Sequence, residues 1–245
     1  MERMLVMRIS APLMSFGGYP SGSYPTGYLR PTRMHPLRSM ITGILGSALG
    51  YQREDTELLS RLQGRIEYAA RVDRATEGIL TDLHTTKVKE VEAWGAGGKP
   101  VKIGPDGPEG TTDLRYDEFL QGAVYTVVVR LNPAEGRPTV DDLAQALKFP
   151  ARPIFYGRKC CLPSGQCFLA IVETDDMVEA LMSAAPCDLR RAAKTGDRVN
   201  VWWVGQSHSK AEHSERTALD RNWAFGIHTG SGTVHRGSFI IGGGQ

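Results

Sequence analysis

The chain has 245 residues, 41% of them hydrophobic and 23% charged, with a formal net charge of +2. That composition can build a sizeable core and excludes disordered and collagen-like chains, and no apolar run approaches the ~20 residues of a membrane-crossing helix. The opening Met1-Glu2-Arg3-Met4 lacks the apolar segment of an export signal, so the expectation is a cytoplasmic protein whose Cys160, Cys161, Cys167 and Cys187 stay reduced.

Met4 to Ser10 reads as a short buried strand, closed by Ala11-Pro12 because proline cannot donate to a central ladder. After a Gly/Pro/Tyr-rich loop over 17–36, Leu37, Met40, Ile41, Ile44, Leu45, Ala48 and Leu49 recur at the spacing of an amphipathic helix, with Gly50 as its stop. The opposite face carries Ser39, Gly43, Gly46 and Gly50, so something must approach it closely, either a packed element or an RNA backbone. Asp55 is a plausible cap for a second helix with Leu58, Leu59 and Leu62 on its apolar stripe, and Ile66–Val72 reads as a strand. Residues 73–122 break the pattern with crowded glycines and prolines, which predicts an inserted arm. A strand over 123–131, a helix over 139–148 with a Thr139/Asp142 capping box, a strand over 167–173 and a helix over 175–184 follow. The core order is βαββαβ, which predicts an α+β, ferredoxin-like (RRM-like) domain over 1–185. Strand-like patches over 199–204, 222–227 and 238–241 predict a smaller β-rich lobe over 186–245.

The net charge hides an asymmetry. Residues 1–53 carry six arginines against the single acid Glu2, and residues 54–151 twelve bases against seventeen acids. Arg30, Arg33 and Arg38 share a stretch with Tyr24, Tyr28 and Gly27 that feeds directly into the first helix. Arginine forks suit phosphate oxygens, tyrosine faces accept unstacked bases, and amides at a helix start add an anion site. A second acid-free cluster joins Arg152, Phe155, Tyr156, Gly157, Arg158 and Lys159.

Catalytic and metal signatures are sparse. Gly104 to Gly110 lacks the Lys and Ser/Thr of a phosphate-binding loop, His208 and His213 lie five apart rather than four, and no Cys-x-x-Cys pair exists. No cofactor or metal is expected. Asp141-Asp142 and Asp175-Asp176 sit at helix starts, where they complement the helix dipole. A metal-independent ribonuclease would need only a base and an acid, such as His84 with Lys87 or Tyr116, and is the alternative reading. A structural bridge with incidental RNA contacts is the third.

Arg30-Pro31-Thr32, then Pro36-x-Arg38-Ser39, then Gly43-x-Leu45-Gly46-x-x-Leu49-Gly50-x-Gln52-Arg53-x-Asp55 resemble the CasD family of type I-E CRISPR Cascade complexes. Ala11-Pro12-Leu13-Met14-Ser15-Phe16-Gly17, Asp82-Leu83-His84-Thr85, Tyr156-Gly157-Arg158-Lys159-Cys160 and Arg221-Asn222-Trp223 fall in the family's order. The resemblance implies a non-catalytic subunit of antiviral defence that grips the 5′ handle of the crRNA. It implies RNA contacts from Tyr28, Arg30, Thr32, Arg33, Arg38, Ser39, Tyr156, Gly157, Arg158, Lys159 and Cys160. It also implies a thumb over about 78–117, with Leu83, His84, Thr85, Lys87, Lys89 and Trp94, reaching the CasC backbone subunit. The large subunit CasA would dock beside it, with target DNA entering the assembled complex.

Overall fold

The computed structural model describes residues 1–17, 29–87, 93–94, 100–101, 112–205 and 208–242. β1 (Glu2–Ser10) is apolar on both faces from Met4 to Met7, the pattern of a central strand with a layer on either side. It pairs antiparallel with β9 (Val124–Leu131) and with β10 (Phe168–Thr174). β9 pairs antiparallel with β4 (Ile66–Arg74), and β4 with β11 (Arg198–Val204). β15 (Gly232–Ile240) and β12 (His213–Thr217) complete a seven-stranded sheet in the order β10-β1-β9-β4-β11-β15-β12.

α1 (Arg38–Leu49) and α2 (Thr56–Arg65) lie between β1 and β4 in the chain, and α3 (Val140–Lys148) between β9 and β10. Ile41, Ile44 and Leu45 of α1 and Leu143 of α3 pack with Met7, Tyr68 and Val127 in one hydrophobic layer. The other layer joins Val6, Ala69 and Val128 to α4 (Met177–Ser183) and to Val201 and Trp203 of β11. The helices begin much as their sequences indicate. The Thr139 hydroxyl accepts from the Asp142 amide at 3.2 Å while the Asp142 carboxylate accepts from the Thr139 amide at 2.9 Å, completing the capping box. Asp176 caps α4 through the Val178 amide at 2.7 Å. Asp55 behaves differently: its carboxylate accepts from the Gln52 amide at 2.7 Å, closing the preceding turn, and gives α2 no side-chain cap.

The boundary expected near 185 falls between α4 and β11, and β11, β15 and β12 beyond it continue the sheet edge-on from β4. Arg71, fully buried, holds the chain there. Its guanidinium donates to Asp73 at 2.6 Å and to the Leu181 and Ala184 carbonyls at 2.6 and 3.0 Å, so its charge is paired and its donors are occupied.

In the insertion, β5 (Ile79–Lys87) and β8 (Thr112–Gln121) form a long antiparallel ladder from Ile79↔Leu120 to Lys87↔Thr112. β6 (Ala93–Trp94) and β7 (Pro100–Val101) pair with each other. Phe119 and Leu120 root β8 in the core, and β8 also pairs with β2 (Leu13–Met14) and, in parallel, with β3 (Leu29–Arg30). β13 (Asp220–Asn222) and β14 (Ile227–Thr229) make a separate hairpin against the helices. The Gln63 side chain fixes it by donating to the Arg221 carbonyl at 3.1 Å and accepting from the Arg221 amide at 3.0 Å.

Candidate nucleic-acid interface

A groove of about 700 Å3 runs along the small-residue face of α1, past Ser39, Gly43 and Ser47. Its walls are the 15–17 and 29–31 segments, the 155–159 turn, Arg53, and Arg221, Trp223 and His228 of the β13–β14 hairpin. The two central glycines of α1 serve different neighbours. A Cβ on Gly46 would stand 2.7 Å from Leu59 of α2, so that glycine permits helix–helix packing. Among the described residues a Cβ on Gly43 would meet only the Trp223 ring, at 3.9 Å, so that glycine keeps the groove open.

The groove's shape depends on one backbone crossing. Gly157 has φ +98° and a side chain there would begin 1.7 Å from the Ser15 carbonyl oxygen, while the Ser15 amide donates to the Tyr156 carbonyl at 3.0 Å. Only glycine fits a left-handed residue laid against a neighbouring strand of backbone.

Of the arginines singled out in the sequence, Arg30 and Arg158 line this groove while Arg33, Arg38 and Arg152 do not, and all but Arg152, which donates to the Gln52 side chain at 3.0 Å, face a carboxylate. Arg30 forms a two-pronged pair with Asp117, Nε to Oδ1 at 2.5 Å. Arg158 lies 3.7 Å from the same carboxylate and donates to the Glu118 and Arg30 carbonyls at 3.0 and 2.7 Å, with its guanidinium over the Phe119 ring at 4.6 Å. Burial lowers its pKa from the ordinary arginine value, against the opposing pull of Asp117. Arg33 pairs with Glu215 at 3.1 Å and Arg38 with Asp220 at 3.4 Å.

Several other predicted contacts have structural occupations. The Thr32 hydroxyl accepts from the Phe16 amide at 3.0 Å and its amide donates to Glu118 at 3.1 Å. Ser39 is buried and its amide donates to the Leu219 carbonyl at 3.0 Å; the Met40 and Ile41 amides donate to the Leu37 carbonyl. The anion site expected from the amides at the start of α1 is therefore closed by the protein's own carbonyls. Tyr156 is fully buried with its hydroxyl donating to the Arg8 carbonyl at 3.3 Å, so it is a core residue and not a face for a base. Lys159 and Cys160 are exposed, Lys159 on the groove wall. Leu83, His84 and Thr85 are exposed on β5, with His84 Nε2 at 3.0 Å from Asp82 and 3.5 Å from Asp117. Lys87 and Trp94 lie in β5 and β6; Tyr28 and Lys89 lie outside the described residues.

The part of the site that residue-level reasoning misses is its hairpin end. Arg53 and Arg221 both line the groove, and neither forms an ion pair with a carboxylate among the described residues. Burial, and then the charge of Arg53, lower the pKa of Arg221 from its ordinary value. His228 is lowered by burial and by Arg221. Both arginines sit in the family-like motifs, yet neither belongs to a local basic cluster, so clustering along the chain does not single them out. Among the described residues no group of three His, Cys, Asp or Glu side chains is placed to hold a metal ion.

Comparison with known proteins places this architecture. The family model described as CRISPR-associated protein (Cas_Cas5) matches residues 4–231. The CRISPR system Cascade subunit CasD of Escherichia coli (strain K12) is 28% identical over 194 residues, covering 76% of this chain and 79% of its own. A chain of a solved CRISPR RNA-guided surveillance complex superposes with a TM-score of 0.69 at 22% identity, over 97% of this chain and 90% of that one. A second solved structure, of a Cas protein, superposes with a TM-score of 0.57 at 20% identity, over 97% and 94%.

Proposed function

The chain belongs to the CRISPR-associated protein (Cas_Cas5) family, and from that premise we propose that it is a non-catalytic RNA-binding subunit of a type I-E Cascade complex, holding the 5′ handle of the crRNA in the groove along α1. The supporting observation is the groove itself. It is flanked by the glycine-bearing helix face, offers the ring of Trp223, and carries Arg53, Lys159 and Arg221 with no carboxylate partner among the described residues. Cations lining a groove, with an aromatic ring beside them, match the needs of a single-stranded polyanion.

The strand order β10-β1-β9-β4, all antiparallel with helices in both crossovers, supports reading the core as ferredoxin-like. In that reading the β5–β8 arm is the thumb, exposing Ile79 and Leu83 toward a CasC backbone subunit, with CasA and target DNA alongside in a cytoplasmic assembly. Among the described residues no helix is long and apolar enough to cross a membrane.

Repeat-containing RNA, labelled at its 5′ end and incubated with the purified chain in EDTA, tests this directly. Protection of the handle without scission is the expected result. Scission at one fixed position, lost in His84→Ala, would instead establish the nuclease reading, for which the exposed His84–Asp82 pair is the available acid–base group.

A further inference from the structure

Arg53 comes from the turn between α1 and α2, and Arg221 from β13, yet their guanidinium groups end at one point. The Nη2 atoms of Arg221 and Arg53 lie 3.3 and 3.5 Å from where a side chain on Gly226 would begin. Gly226 therefore does more than turn the hairpin, because a side chain there would fill the space both cations face. Arg221 is also stacked over Trp223, with its guanidinium carbon 5.6 Å from the ring centroid. The indole N–H of Trp223 is buried and has no hydrogen-bond partner among the described residues.

Each of these facts costs free energy as it stands. Two like charges side by side repel, a partly buried guanidinium has lost part of its hydration, and a buried N–H without an acceptor forfeits its bond to water. No carboxylate among the described residues compensates them, although carboxylates compensate Arg30, Arg33, Arg38 and Arg158 nearby. An anion with several acceptor oxygens would satisfy the two forks and the indole donor together.

We propose that Arg53, Arg221 and the indole N–H of Trp223 form a phosphate-binding subsite at the hairpin end of the groove, which takes one phosphate group of the bound RNA. The subsite rests on the RNA-binding reading above and adds to it where the strand is gripped. Its position between α1 and the β13–β14 hairpin makes the hairpin a clamp, held to α2 by Gln63 and to the RNA by Arg221. The phosphate is either an internal phosphodiester or a terminal 5′-phosphate, and the chemistry that recognises it is the same.

The test uses the full chain, alone or purified with co-expressed partner subunits, and a labelled RNA carrying the CRISPR repeat of the source organism. Arg53→Gln, Arg221→Gln and Trp223→Phe are compared with wild type and with Arg198→Gln, an exposed arginine outside the groove. Each arginine variant is expected to weaken binding about tenfold or more with little change in the salt slope, because the other arginine still neutralises the phosphate, and the double variant to reduce the slope by about 0.7. Trp223→Phe keeps the ring and should weaken binding without changing the slope. Thermal melts confirm that the variants fold. RNA made with a 5′-hydroxyl separates the sources: an unchanged wild-type affinity assigns an internal phosphodiester, and a loss that matches the arginine variants assigns the terminal phosphate. If wild type binds and the folded arginine variants keep its affinity and slope, the subsite is wrong while the groove reading stands. If wild type binds the RNA in neither form, the groove reading fails and the subsite falls with it.

Discussion

At one end of the groove, beside β8, Arg30 and Arg158 share the buried carboxylate of Asp117. At the other, beneath the β13–β14 hairpin, Arg53 and Arg221 converge on Gly226 with no carboxylate partner among the described residues. The first end has settled its electrostatics inside the protein: its arginines bind carbonyls and a carboxylate, and they fasten the 29–31 segment, the 155–159 turn and β8 together. The second end has left its charges unsettled. A basic side chain is thus a poor guide to available positive charge until its partners are known. An arginine that is neutralised locally acts as a structural tie, while one held half-buried without a counterion is poised for an external anion.

The contrast breaks most visibly at Asp117. Asp117→Ala leaves Arg158 buried beside Arg30 without a counterion and should cost on the order of 3 kcal/mol, read as a lowered urea midpoint. An unchanged midpoint would mean that the paired end is not a structural tie. Next comes the pair of glycines on α1. Gly46→Leu drives a side chain into Leu59 and should cost about 1–3 kcal/mol with RNA binding tracking the folded fraction. Gly43→Leu should instead project toward Trp223 and weaken RNA binding at little cost in melting temperature. A reversal of these two outcomes would exchange their roles.

Arg221→Gln should alter stability by less than about 0.5 kcal/mol, or raise it, because it removes a repulsion and no ion pair. A large destabilisation would show that the hairpin arginine is also a tie. The smallest effect concerns pH. Burial lowers the pKa of His35 and of His228 from 6.5, so the unfolded chain takes up protons first as the solution is acidified. The stability these neutral rings contribute is therefore fully present above pH 6.5 and is lost as pH falls from there toward their folded values. His35 stacks on Trp202 at 5.8 Å, so His35→Phe keeps a ring there and should flatten the decline in melting temperature below pH 6.5. At the hairpin end a bound phosphate favours protonated His228, so RNA affinity should strengthen on acidification, and His228→Asn should remove that dependence.

Much of the scaffold is local and legible in the chain itself. The three-and-four spacing of Ile41, Ile44, Leu45 and Ala48 places α1 within a residue of its observed start, and Thr139/Asp142 marks the cap of α3. The site is less legible. The stretch from Tyr24 to Ser39 looks like a concentrated cationic segment because its acids are elsewhere in the chain: Asp117 is 87 residues from Arg30, and Glu215 is 182 residues from Arg33. Tyr156 looks like a stacking ring for the same reason, since nothing in its neighbours announces that it is wholly buried. Arg53 and Arg221 look like isolated charges, and only the docking of the hairpin on α1 and α2 makes them a pair.

The succession of strands and helices, the glycine-bearing face of α1, the inserted arm and the family motifs are all written into the amino-acid order. They depend on periodicity, turn chemistry and spacing within a few residues of chain. Two things are fixed by packing alone: that β11, β15 and β12 extend the sheet from β4, and which arginines pair with a carboxylate and which have none among the described residues. Strand pairing and electrostatic compensation act through space, so a backbone ladder or a carboxylate about 3 Å away settles an edge or a charge whatever number of residues separates the partners.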